Sequence, residues 1–242
     1  MKKSGVFILV AVILGLSLVW VANIASNTAI SIKNKGYVKV KGFAKQEIRS
    51  DLAIFSVRIE EADVDLKACY RKLKDDKEKA NKFLEKYEAK DDIIKFYQPK
   101  IRENYKINER GHATDEFIDF ELTQKFSVQS DDVEKIERLT EEISGLLDEG
   151  VKLFISSPDY IYKDLDALKV EMIGRATANA KERAEVIAKK GKFRLGPIAS
   201  VRVGVFQITP AYSTSVSNYG INDTTSIDKE IKSVVEIEYF VR

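Results

Sequence analysis

Cysteine and histidine, two residues on which much protein chemistry depends, are almost absent. The 242-residue chain has one cysteine, Cys69, and one histidine, His112. A single cysteine excludes an internal disulfide, so the folded part has to be held together by its hydrophobic core. A lone histidine without ligands at metal-binding spacing gives neither a zinc site nor an acid–base pair. Cys-x-x-Cys, glycine-rich phosphate loops and Gly-x-Ser-x-Gly are missing too. We therefore predict no catalytic residues, no cofactor and no metal.

Charge of one sign is not in excess either. The 40 lysines and arginines nearly balance the 38 aspartates and glutamates, which leaves a formal net charge of +2. This balance argues against a nucleic-acid binder, which needs a marked basic excess. Only four prolines occur, and no stretch is of low complexity, so most of the chain is predicted to be ordered.

A long apolar run stands at the N-terminus. Residues Val6–Ala22 are almost wholly apolar and follow Lys2 and Lys3. Extended over residues 5–25, the run approaches the roughly 20 residues that a membrane-spanning helix needs. We therefore predict a membrane segment at 1–30 and an extracytoplasmic domain at 31–242, anchored in the inner membrane and facing the periplasm. A cleaved signal peptide that leaves a periplasmic protein is the alternative.

The remaining pattern alternates strands with helices in the order β-β-α-β-β-α-β-α-β-β. Paired strand steps without a regular βαβ rhythm predict an α+β fold, in which an antiparallel or mixed sheet packs with about three amphipathic helices. Ser130 is the predicted N-cap of the second helix. Small alanines along the third helix predict close packing on a sheet. The predicted strands are 36–44, 51–61, 92–97, 117–128, 151–161, 198–208 and 233–241, and the predicted helices are 63–89, 130–150 and 164–191.

Several segments resemble the SIMPL domain family, whose members are mostly exported bacterial proteins. The resemblance extends from Tyr37 to Arg242 and includes the alanine-rich helix that leads into Gly191 and the Leu195-Gly196 step. The segments that carry it are VKVKGFAKQEIRSDLAIFSVRI, MIGRATANAKERAEVIAKKGKFRLG, GVFQITP and VVEIEYFV.

The resemblance implies an exported domain that forms a ring- or channel-like oligomer and is linked to envelope and oxidative stress. It implies no established reaction and no site residues. A departure from the family is the Arg49-Ser50 step, where members often carry proline.

Two single residues have both a functional and a structural interpretation. Cys69 lies on the apolar face of the first predicted helix, which favours a buried small hydrophobe over a redox-sensing thiol. His112 lies in a polar segment and is predicted to be an exposed loop residue.

The segment Thr209–Lys229 is the candidate interaction loop. It is rich in polar residues, and loops of this length often carry function. The alternatives are a subunit or ligand contact and a disordered insertion. The candidate residues are Gln207, Tyr212, Tyr219, Asn222 and Asp223.

Three functions follow from these observations. The first is a non-enzymatic, membrane-anchored protein that forms a homo-oligomer through exposed sheet edges or the 209–229 loop and supports the cell envelope. The second is a binding module for a small ligand, whose identity the sequence leaves unknown, or for unfolded exported protein. The third is an unrecognised hydrolase, which the missing nucleophile–base pair disfavours.

Overall fold

The computed structural model describes residues 15–17, 19–24, 36–86 and 93–242. The chain divides into two compact units. The terminal unit comprises Met1–Ala44, Met172–Gly204 and Ser233–Arg242, and the central unit comprises Lys45–Glu171 and Val205–Lys232.

Eleven strands and three α-helices fall within the described residues after position 36. A short 3-10 helix, Ile143–Leu147, follows the second α-helix. The strands are β1 (Tyr37–Arg49), β2 (Leu52–Asp63), β3 (Ile93–Phe96), β4 (Lys100–Ile107), β5 (Ala113–Ser130), β6 (Leu153–Ile155), β7 (Asp159–Ile161), β8 (Leu195–Val203), β9 (Gln207–Pro210), β10 (Ile221–Asn222) and β11 (Asp228–Val241), and the helices are α1 (Leu66–Lys86), α2 (Val133–Glu142) and α3 (Leu165–Gly191).

The predicted membrane segment at residues 5–25 falls mostly outside the described residues. Its described positions, 15–17 and 19–24, are helical. Within the described part of the chain, no helix is both long and apolar enough to cross a membrane.

The central unit is built on a six-stranded antiparallel sheet. Its two longest strands, β2 and β5, pair from Ala53 opposite Ser130 to Asp63 opposite Phe120. The other edge of β5 pairs with β3 and β4, and the other edge of β2 pairs with β6 and β7. Every pairing in this sheet is therefore antiparallel, as the two-strand steps of the sequence predict.

Alternation along β2 and β5 gives this sheet one covered and one open face. Phe55 and Ile59 are fully buried on one side of β2, whereas Ser56 and Arg58 lie on the other side. On β5, Phe126 is fully buried and its neighbour Lys125 is exposed. Helices α1 and α2 and the 3-10 helix cover the apolar face. The core between them comprises Ala53, Phe55, Val57, Ile59, Cys69, Leu73, Ala80, Leu84, Leu122, Phe126, Val128, Val133, Ile136, Leu139, Ile143, Leu146, Val151 and Tyr160.

In the terminal unit, α3 packs on the strand residues of β1 with little space between them. The buried stripe of α3 consists of Met172 and a series of alanines at every fourth position. Asn179 Oδ1 accepts a hydrogen bond from the Phe43 backbone N–H at 3.1 Å, and Arg183 donates one to the Lys41 carbonyl at 3.0 Å. The helix is thus fixed to the backbone of β1, which confirms the close packing predicted from its small residues.

Gly42 is the point of closest approach between β1 and α3. A Cβ atom at this position would lie 1.9 Å from the Ala176 carbonyl oxygen and 2.5 Å from the Ala180 backbone nitrogen. Burial alternates without interruption on either side of Gly42. The glycine therefore serves helix packing, because no side chain fits between the two backbones.

Most predicted elements are confirmed to within about five residues, but β4 and β10 are additional to the predicted strands, and three further details differ. The N-cap of α2 is Asp132, which accepts from the Lys135 N–H, whereas Ser130 accepts from the Asp132 N–H at 3.1 Å. The strand predicted at 151–161 is two strands, because the chain leaves the sheet before Pro158. The strand predicted at 198–208 is also two, β8 and β9, and these are separated at Gly204.

Gly42→Ala is expected to lower the free energy of unfolding by about 1–3 kcal/mol or more, because overpacking forces the helix away from the strand. The matched control is Gly174→Ala on the exposed side of α3, where an added Cβ meets nothing within 4 Å. Since alanine is a better helix former than glycine, Gly174→Ala should raise the free energy of unfolding by about 0.5–1 kcal/mol. Urea unfolding of the two variants measures both effects, and equal stabilities would contradict the close contact.

Candidate functional site

The 209–229 segment, predicted to be an interaction loop or a disordered insertion, has a defined path. Gln207 in β9 fixes it with two hydrogen bonds to one residue: its Nε2 donates to the Ser217 carbonyl at 2.7 Å, and its Oε1 accepts from the Ser217 N–H at 3.1 Å. Strand β10 then runs parallel to β9, with Asn222 opposite Ile208. The side chain of Gln207 therefore organises the loop.

Tyr212 and Tyr219 extend into solvent, with 88% and 97% of their surface exposed. Tyr212 has a φ of 64°, in the left-handed region that non-glycine residues rarely adopt. Gly220 follows Tyr219 with a φ of +84°, and a Cβ there would lie 2.9 Å from the Phe206 carbonyl. The turns of the loop thus hold both aromatic rings in solvent.

Asp223 and Lys229 hold the far end of the loop. The Asp223 carboxylate accepts hydrogen bonds from the Thr225 N–H at 3.0 Å and from its hydroxyl at 2.7 Å. The buried ammonium of Lys229 donates to the carbonyls of Tyr160 and Asp223, at 2.5 and 2.6 Å. Burial lowers the pKa of Lys229 because the charged form loses its water. These contacts tie the loop to β7.

The five predicted loop residues therefore form no single cluster. Gln207 and Asp223 make hydrogen bonds within the protein, Asn222 is exposed on β10, and the two tyrosines face solvent. This arrangement presents exposed groups for contact and brings no nucleophile to a base.

Cys69 and His112 have the environments predicted for them. Cys69 is fully buried, its thiol donates to the Glu61 carbonyl at 3.2 Å, and burial raises the pKa of the thiol. A buried thiol with a raised pKa is a poor nucleophile. His112 is exposed at the turn between β4 and β5, where its backbone N–H donates to Asn108 Oδ1. Among the described residues, no group of three or more His, Cys, Asp or Glu side chains is placed to hold a metal ion.

The edge of β8 is the clearest candidate contact surface in the terminal unit. Within the described residues, β8 pairs with β11 alone, so its second edge has no strand beside it. The first half of β8 contains Pro197 and two irregularities of register, whereas Ser200–Val203 pairs regularly with β11. Backbone N–H and C=O groups along a regular free edge are available to another strand.

A row of apolar side chains lies beside this free edge. Ile198, Val201 and Val203 are opposite Tyr239, Ile237 and Val235 of β11, and so lie on the same face of the sheet. The three β11 residues are buried, but the three β8 residues remain 52%, 49% and 48% exposed. Half-exposed branched residues beside a free strand edge are typical of a strand-pairing surface.

The sequence predicts an exposed edge without identifying the strand. Val201 and Val203 alternate with polar residues, as in any half-buried strand, and their exposure depends on which strands α3 covers. The β8 surface can be recognised only once the pairing order β1-β11-β8 is known.

A small charge network stabilises the start of β11 beside the loop. The buried Glu230 carboxylate accepts from Lys232 at 2.9 Å and from Lys45 at 3.1 Å. Lys232 also donates to the Ser213 carbonyl of the loop at 2.7 Å. The hydrogen bond from Lys232, followed by that from Lys45, holds the pKa of Glu230 below its usual value of 4.5.

Glu230→Gln is expected to lower the free energy of unfolding at neutral pH by about 1.5–3 kcal/mol, the range for hydrogen bonds to charged groups. The pKa of the Glu230 carboxyl is lower in the folded than in the unfolded chain. Its contribution to stability is therefore complete above the unfolded pKa of about 4.5 and is lost as pH falls through the folded pKa. The difference from the wild type should therefore shrink in acid. Unfolding curves from pH 3 to 8 measure it, with the exposed Glu85→Gln as control. A difference that does not change with pH would contradict the network.

Comparison with known families places this fold. A search of curated proteins gives no match. The model of the SIMPL family, described as a protein of unknown function (DUF541), matches residues 38–239. This range contains every strand and helix of both units from β1 to β11, apart from the outermost residues of those two strands. The chain therefore belongs to the SIMPL family.

Proposed function

We propose that this protein is a non-enzymatic, membrane-anchored SIMPL domain that assembles with copies of itself outside the cytoplasm and supports the cell envelope under stress. The observation that carries this proposal is the free edge of β8 with its row of half-exposed Ile198, Val201 and Val203.

Pairing at this edge satisfies two requirements at once. A second strand beside Ser200–Val203 gives hydrogen-bond partners to the free backbone groups, and it removes the three branched side chains from water. Fully burying a valine or isoleucine side chain is worth about 1.5–3 kcal/mol, and these side chains are only half exposed. Most homo-oligomers have closed symmetry, in which a contact of this kind is repeated between copies.

The non-enzymatic part of the proposal is supported by the state of the reactive side chains. Cys69 is buried and the pKa of its thiol is raised, His112 is exposed in a turn, and Gln207 and Asp223 make hydrogen bonds that shape the loop. Any role in stress therefore runs through contacts of the folded domain and not through oxidation of its thiol.

The anchored, extracytoplasmic location is supported by the sequence and by the resemblance to exported proteins. Lys2 and Lys3 precede the apolar run, which places the N-terminus in the cytoplasm under the positive-inside rule. The folded units that follow would then face the periplasm.

Full-length protein in a non-ionic detergent is expected to be an oligomer, and Val201→Lys with Val203→Lys is expected to dissociate it. Lysine on an edge strand opposes pairing because a buried ammonium loses its hydration. Analytical ultracentrifugation measures the mass of the assembly.

The matched control is Val64→Lys with Val170→Lys, since both valines are 71% exposed and the change adds the same two charges. Circular dichroism melting checks that all variants remain folded. A monomeric wild type, or an oligomer that the double variant leaves intact, would reject assembly through β8.

Uncleaved anchoring predicts that the protein purified from membranes has the mass of the full chain, 27.4 kDa. Intact-mass spectrometry of the membrane and periplasmic fractions measures this. A soluble species shortened by roughly the signal-peptide length of 15–30 residues would instead support cleavage.

A further inference from the structure

The open face of the central sheet carries a row of four side chains that crosses the strands. Phe154 of β6 is directly opposite Arg58 of β2, and Arg58 is directly opposite Lys125 of β5. Tyr97 continues the row, since its N–H donates to the Lys125 carbonyl at 2.9 Å. The order across the sheet is therefore aromatic, cation, cation, aromatic.

Each cation lies against an aromatic ring. The Arg58 guanidinium is 4.5 Å from the centre of the Phe154 ring, and the Lys125 ammonium is 5.6 Å from that of Tyr97. Lys95 approaches the same tyrosine ring at 4.9 Å. The aromatic rings thus form two walls, with positive charge between them.

None of these cations forms a close ion pair among the residues that the structure describes, a statement that holds for Arg58, Lys95, Lys100 and Lys125. Arg58 acts on Glu121 only through longer-range attraction, whereas Arg102 is the hydrogen-bonded partner of that carboxylate. The next side chain on this face of β2, Glu60, is opposite Thr123 and does not line the space between the rings.

The same sheet neutralises its other cations. Two rows along this face from Lys125, Arg102 is opposite Glu121 and forms an ion pair with it, and Lys106 pairs with Glu116 at 2.9 Å. Like charges directly opposite each other on neighbouring strands destabilise a sheet. The Arg58–Lys125 pair is therefore a cost to folding that a bound anion would remove.

The walls are held in place before any ligand arrives. The buried side chain of Gln124 donates to the Tyr97 carbonyl at 2.8 Å from the covered side of the sheet. At the other wall, the Ser156 hydroxyl donates to the Ser56 carbonyl at 2.7 Å and fixes the chain that follows Phe154. We name the space between the Phe154 and Tyr97 rings the Arg58 groove, and its volume is about 550 Å³. The residues that line it are Ser56, Val57, Arg58, Tyr97, Gln98, Lys100, Thr123, Lys125, Phe154, Ile155 and Ser156. This size suits a small molecule.

We propose that the Arg58 groove binds a small phosphate monoester, or an equally compact dianion, attached to an aromatic or apolar body. The guanidinium fork of Arg58 matches two oxygens of such a group, and the Lys125 ammonium supplies the second positive charge. The Phe154 and Tyr97 rings then contact the body of the ligand. A monoanionic diester, the form found in most phospholipid headgroups, neutralises only one of the two charges and binds more weakly.

Isothermal titration calorimetry of the full chain in non-ionic detergent tests this with phenyl phosphate as the probe. Arg58→Gln with Lys125→Gln is expected to weaken binding by about a hundredfold, because each charged contact is worth about a factor of ten. Three related compounds should all bind more weakly than phenyl phosphate. Inorganic phosphate lacks the ring, methyl phenyl phosphate lacks one of the two charges, and phenol lacks both charges. Phe154→Ala should reduce the preference for phenyl phosphate over inorganic phosphate.

The control is Arg71→Gln with Lys82→Gln on the exposed side of α1, which removes the same formal charge away from the groove. Without ligand, circular dichroism melting checks that both double variants remain folded, because the groove variant loses a like-charge pair and also the contacts of Arg58 with Phe154 and of Lys125 with Tyr97. No saturable binding of phenyl phosphate, or equal weakening by both double variants, would overturn the proposal. Equal affinity for the methyl diester would also overturn it and would indicate a lipid-headgroup site.

Discussion

The register between β2 and β5 is the constraint on which most of the central unit depends. Side chains alternate along each strand, so a slip of β2 by one residue against β5 would turn every side chain of β2 to the other face. Phe55 would then leave the core, and Arg58 would enter it. The length of this ladder, from Ala53 to Asp63, makes such a slip very unfavourable. The same pairing therefore builds the apolar core and aligns the charges on the opposite face.

The two units solve the problem of covering a sheet in different ways. In the central unit, large side chains such as Phe55 and Leu73 fill the space between the strands and α1. In the terminal unit, Gly42 and the alanines of α3 remove side-chain volume so that the backbones approach closely. In the same unit, Val235, Ile237 and Tyr239 of β11 are buried, whereas Ile198, Val201 and Val203 of the outer strand β8 are half exposed. The candidate assembly surface thus lies on the strand next to a buried one.

Periodicity in the sequence predicted nearly all elements, because the apolar residues of β2, α1 and α3 repeat at strand or helix spacing. It also predicted the environments of Cys69 and His112. It did not predict the breaks at Pro158 and Gly204, since apolar residues continue on both sides. Periodicity could not predict the Arg58 groove for a different reason. Arg58 and Lys125 are 67 positions apart in the sequence, and only the strand register brings them together. Gln207 was named as a candidate interaction residue, and in the structure its side chain shapes the loop through two hydrogen bonds to Ser217.

The burial of Cys69 has a practical consequence for the study of this protein. Because the only thiol of the chain is enclosed between β2 and α1, a maleimide reagent has no accessible target on the native wild type. A cysteine placed at an exposed position such as Tyr219 would then carry a fluorophore or spin label at one known site. The chain is thus ready for distance and mobility measurements without prior removal of its own cysteine.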